Sequence, residues 1–136
     1  MIADVLAAGL RTLGFIGLFQ AVGAIFFMAL FGTASAISAR ISTLAMISAV
    51  AAIACFIAQQ SLEAARFVGE LAGMLDPEWL REAWFSRSGG AQALRLTGLS
   101  LIVAGAARRS SHGLIAAGVG AAIALLSFLV GGHTSV

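Results

Sequence analysis

The sequence predicts an all-α integral membrane protein: a bundle of about four transmembrane helices with a short amphipathic segment on the outer side between the second and third. Three observations carry that prediction. Of 136 residues, 60% are hydrophobic and 10% are charged, where a soluble domain carries about 25% charged residues. The apolar residues fall in long runs rather than in the alternating or one-faced patterns of a water-exposed core element. A helix that crosses the hydrocarbon needs about 20 predominantly apolar residues, since lipid offers no partner to an open backbone group, and four segments meet or approach that length. A chain this short reads as a single domain over residues 1–136.

The first span, residues 12–31, has Gln20 as its strongly polar member, and the second, 41–62, carries no charge. The fourth, 113–131, is apolar apart from Ser127. The third is the weakest. The run from Leu96 to Ala107 is too short alone and reaches bilayer length, as 89–107, only by including Arg95 and the stretch back to Gly89. Arg95 is thereby placed in the membrane or at its edge. For the first span, Arg11, the long apolar run and Ala34-Ser35-Ala36 also fit a secretory signal with a cleavage site. That run is longer than the usual 7–15 residues or so, and Asp4 spoils a basic n-region, so a retained helix is expected. Small residues recur in the first span (Gly14, Gly17, Gly23) and in the last (Ala116, Ala117, Gly118, Gly120, Ala121, Ala122), where they let helix backbones approach closely.

Short Arg-rich loops stay in the cytoplasm. The loop before the second span carries Arg40, and the loop before the fourth carries Arg108 and Arg109, with no acid in either. Both are expected to be cytoplasmic, which puts both termini and all six acidic residues on the periplasmic side of a bacterial inner membrane. In the outer segment Phe67, Leu71, Met74 and Leu75 recur at helical spacing opposite Glu63, Arg66 and Glu70, as in a helix lying along the membrane. Asp76 followed by Pro77 reads as an N-cap with proline at the first helical position. Trp79, Trp84 and Phe85 suit the headgroup level.

The scattered arginines form no basic stripe, so nucleic acid is not an expected partner; lipid is. Cys55 stands alone in an apolar stretch. No metal-ligand pair, nucleophile with a base, phosphate-cradling loop or carboxylate pair stands at useful spacing, and no enzyme activity is expected. His112 and His133 are predicted on opposite sides, which disfavours a haem held by this chain. Arg95 is the intramembrane ionisable residue. Snorkelling to the headgroups is its simplest reading, and an internal partner or functional role the alternative. Gln20 either bonds between helices or, if it faces the bundle axis, lines a pathway. His133 closes the fourth span, and imidazole together with thioethers such as Met28, Met46 and Met74 is copper-binding chemistry.

The stretch Ser86-Arg87-Ser88-Gly89-Gly90-Ala91-Gln92-Ala93-Leu94-Arg95 resembles the opening of the third helix in the copper resistance protein D family, and Gly132-His133-Thr134 is similar to the family's Gly-His-Ala. Four helices with an outer N-terminus match the layout of that family's first half. Gln92 stands where the family usually has Trp, and Val136 ends the sequence where members usually continue into about four more helices. The resemblance implies movement or handling of copper ion at the periplasmic face, with His133 as a candidate metal ligand and Arg95 as the family's buried arginine. It further implies that other ligands come from the missing second half, and the partners it suggests are a second four-helix half or a homo-oligomer and a periplasmic copper-binding protein. The competing reading is a structural or accessory membrane subunit without chemistry of its own, packing against partner helices through small residues such as Gly118 and Gly120.

Overall fold

The computed structural model describes residues 2–31, 35–68, 76–85, 87–108 and 111–132. They form α1 (Ile2–Phe31), α2 (Ser35–Val68), α3 (Pro77–Phe85), α4 (Arg87–Arg108) and α5 (Ser111–Gly132), with no strand among the described residues. Four helices are long and apolar enough to cross a membrane, over Asp4–Phe31, Ala39–Glu63, Gly89–Arg108 and His112–Leu129. These bounds lie within two residues of those expected, except at the start of α1. Asp4 and Arg11 end the apolar run there without ending the helix: α1 has 30 residues, about 45 Å at 1.5 Å per residue, longer than a hydrocarbon layer of about 30 Å.

The same excess length changes the expected amphipathic segment. α2 continues to Val68 over 34 residues, so Glu63 and Phe67 extend a spanning helix rather than starting a new one, while Leu71, Met74 and Leu75 lie outside the described residues. The Asp76-Pro77 start of α3 holds as expected. The Asp76 carboxylate accepts the Glu78 N–H at 3.0 Å, and its carbonyl accepts the first helical bond from Leu80 at 3.0 Å. On α3, Trp79 and Phe85 are exposed, Trp84 is half-buried and Ala83 is fully buried.

The long helices pack as a ring in the order α1, α2, α4, α5. The α1–α2 and α4–α5 hairpins are its tightest seams, α2–α4 joins them and α5 closes back on α1 through a smaller interface. α3 lies across α2 and α4. The bundle therefore has an α3 end, where α1 begins and α5 finishes, and a far end near Arg40 and Arg108. Leu18, Ile25, Phe56, Leu99 and Ile102 form the bulk of the core between alanines of α1, α2 and α5.

Glycine sets the α4–α5 seam. Gly98 meets Gly120 and Gly105 meets Gly113, so that a Cβ added to Gly98, Gly105 or Gly120 would strike backbone of the facing helix. The two glycines of each helix are seven residues apart, two turns, and antiparallel pairing brings them opposite one another twice. Backbones thus touch directly, as small residues allow in lipid. In α1–α2 the glycines make room instead: Gly17 abuts the Ser48 carbonyl and Ala52, and Gly14 admits the Phe56 ring. Gly120 therefore serves this chain's own packing, whereas Cβ positions at Gly118 and Gly23 meet nothing within 4 Å.

Candidate functional site

Polar side chains gather at the α3 end, around Arg95. Its backbone stands six residues inside the span that begins at Gly89, about 9 Å along the helix. The side chain turns inward. Arg95 Nε donates to Ser127 Oγ at 3.1 Å on α5, and Nη1 donates to Gln92 Oε1 at 3.3 Å on α4. The Ser127 hydroxyl donates to the Ala124 carbonyl at 2.6 Å, which leaves its lone pairs to accept from the arginine.

Three phenylalanines surround the guanidinium. Its central carbon lies 5.2 Å from the ring centre of Phe15 on α1, 5.5 Å from Phe56 on α2 and 5.0 Å from Phe128 on α5. The negative faces of aromatic rings attract such a cation, more strongly when water is absent. Phe15 also packs on Phe56 at 5.7 Å and on Phe128 at 5.3 Å, both tilted. Ring quadrupoles and two neutral oxygens are thus the partners of the guanidinium. One side chain thereby ties α1, α2, α4 and α5 together, which replaces the snorkelling expected from sequence with an internal set of partners.

Gln92 is buried and is part of this set. Its departure from the resembling motif hid its role, although its spacing of three residues from Arg95 on one helix already makes the two neighbours. Gln59 and Gln60, overlooked among the apolar residues of α2, are buried nearby in the chain order of the same helix end. Gln60 Nε2 donates to the Ala83 carbonyl at 2.6 Å and fastens α3 to the bundle. Gln59 Oε1 is buried with no hydrogen-bond partner.

The other expected residues are dispersed. Gln20 lies on the outward face of α1 and does not line the bundle axis. His133 and Met74 fall outside the described residues. Met28 is buried and accepts a hydrogen bond from Ser42 Oγ at 3.5 Å, thirteen residues and about 20 Å along α1 from Phe15. Met46, half-buried on α2, also belongs to the far half. Neither thioether joins the α3 end, and His112 is exposed at the far end. No group of three or more His, Cys, Asp or Glu that could hold a metal occurs among the described residues.

Electrostatically, Arg95 opposes a second cation on the bundle axis. Two unit charges about 7 Å apart at an effective dielectric of about 20 repel by about 2 kcal/mol. The same field suits an anion or a neutral species. A cation handled at this end of the bundle is therefore disfavoured on the axis and less opposed at the surface.

The chain is similar to the family described as copper resistance protein D-like, N-terminal domain, whose model matches residues 1–136. No curated protein and no solved structure matches it.

Proposed function

The chain belongs to the copper resistance protein D family, as an N-terminal domain of the copper resistance protein D-like type, and from that premise we propose that it moves or handles copper at the periplasmic face of a bacterial inner membrane. The match over residues 1–136 carries the reading. The orientation rests on the two short loops before the second and fourth spans, which carry Arg40 and Arg108-Arg109 with no acid, while Arg11, Arg66, Arg81 and Arg87 belong to segments on the other side. In this reading His133 supplies an imidazole to copper at the α3 end, and Arg95 holds the helices and keeps cations off the axis.

One imidazole does not make a tight copper site, because affinity comes from several ligands in a defined geometry. The remaining ligands come from a second four-helix half, another copy of the chain or a periplasmic copper-binding protein. Cells expressing the chain are expected to change their copper content relative to cells without it, and His133→Ala is expected to abolish the difference at equal protein level. An unchanged difference in His133→Ala would remove that residue from the mechanism. The accessory-subunit reading predicts that unchanged outcome and draws support from the outward Gln20 on the apolar face of α1.

A further inference from the structure

Midway along α1, the membrane-facing surface carries a carboxamide that lipid cannot satisfy. Gln20 is exposed, eight residues into the apolar run that starts at Thr12, and makes no hydrogen bond with the described residues. At about 12 Å from the start of that run, it is too deep to reach the headgroups. Three outward threonines are provided for locally: Thr12, Thr43 and Thr97 each return a hydroxyl to the carbonyl one turn back, at 2.9, 2.9 and 2.8 Å. One carbonyl cannot satisfy a carboxamide, which has two donor hydrogens and an acceptor oxygen. Leaving these groups open in hydrocarbon costs several kilocalories per mole.

We infer that α1 pairs with α1 of a second copy of this chain, along a seam of Leu13, Ile16, Gln20, Gly23, Phe27 and Leu30. Those residues are all exposed and alternate in steps of three and four, the repeat that keeps one helix face against a partner at a shallow left-handed crossing. Two copies inserted in the same sense are related by a two-fold axis along the membrane normal, so their α1 helices run parallel. Identical residues then sit at identical depth, and Gln20 meets Gln20. A carboxamide donates and accepts, so it complements its own copy. A different partner would need a matching polar group at that depth, while the symmetric pair supplies one by identity. Gly23, one turn away, has nothing within 4 Å of its Cβ position and lets the two backbones close in.

The full chain contains no lysine, so its α-amine can be labelled selectively with donor or acceptor dye. Energy transfer between copies in phosphatidylcholine vesicles, followed as lipid is added, reads the association constant. Gln20→Leu is expected to weaken association roughly 5- to 30-fold and Gln20→Asn to retain most of it. Helix content and thermal unfolding should stay unchanged in both variants, since Gln20 makes no contact the bundle needs. In a Cys55→Ser background, Ile16→Cys should cross-link between copies faster than Ile47→Cys on α2 or Val119→Cys on α5. Transfer no greater than random proximity gives, equal transfer in Gln20→Leu, or faster cross-linking through Ile47→Cys or Val119→Cys would overturn the pairing.

Discussion

The α4–α5 seam and the α3 end hold the same bundle by opposite means. In the seam, Gly98, Gly105, Gly113 and Gly120 bring two backbones into direct contact. At the α3 end a charged side chain joins four helices through three aromatic rings and two oxygens. Apolar surface gains nothing by leaving one hydrocarbon environment for another, so close backbone contact and polar bonding are the two means lipid leaves. The first is unforgiving to added volume. The second is sensitive to the shape and donors of a single residue.

The largest effect expected from that contrast falls on the seam. Gly105→Leu places a side chain where the Gly113 carbonyl and Ala117 backbone already stand, and should lower stability by about 3 kcal/mol, the upper range for overpacking. Gly118→Leu, with open space at its Cβ, should stay within about 0.5 kcal/mol of the parent. Reversible unfolding of the full chain in mixed micelles measures both, and equal losses would erase the distinction between inward and outward glycines.

A smaller loss is expected at the α3 end. Arg95→Ala removes the ring contacts and frees the Gln92 and Ser127 oxygens, for a loss of about 2 kcal/mol. Arg95→Lys keeps the charge but not the planar fork that reaches both oxygens, and should lose about half as much. If Arg95→Lys proves as damaging as Arg95→Ala, charge contributes little to the arrangement. Smallest, and opposite in sign, is Gln59→Leu. It removes the buried Oε1 that has no hydrogen-bond partner and should raise stability by about 1 kcal/mol; a loss in the same unfolding assay would mean that the Gln59 amide is satisfied after all.

Long charge-free runs made the spans readable because hydrocarbon tolerates little else. The third span was readable through Arg95, since only by including that residue does 89–107 reach bilayer length. Where the arginine pointed was not readable. Phe15, Phe56 and Phe128 belong to three different helices, and only packing shows that they enclose one point. Gln92 looked like a mismatch to a motif and is a partner of Arg95. The seven-residue spacing of Gly98 with Gly105 and of Gly113 with Gly120 was present in the sequence, but small residues give packing without naming the facing helix. Here the faces divide, with Gly120 inward and Gly118 and Gly23 outward.

The central functional claim is that copper is handled at the α3 end and not on the axis that Arg95 occupies. Cuprous ion titrated into the full chain in lipid nanodiscs, with the metal retained after desalting counted, tests it for the parent, His133→Ala and Arg95→Gln. The account predicts that the parent retains copper, that His133→Ala loses it and that folded Arg95→Gln retains as much as the parent. Retention that survives His133→Ala, or that rises in Arg95→Gln as an opened axis takes up the ion, would contradict it.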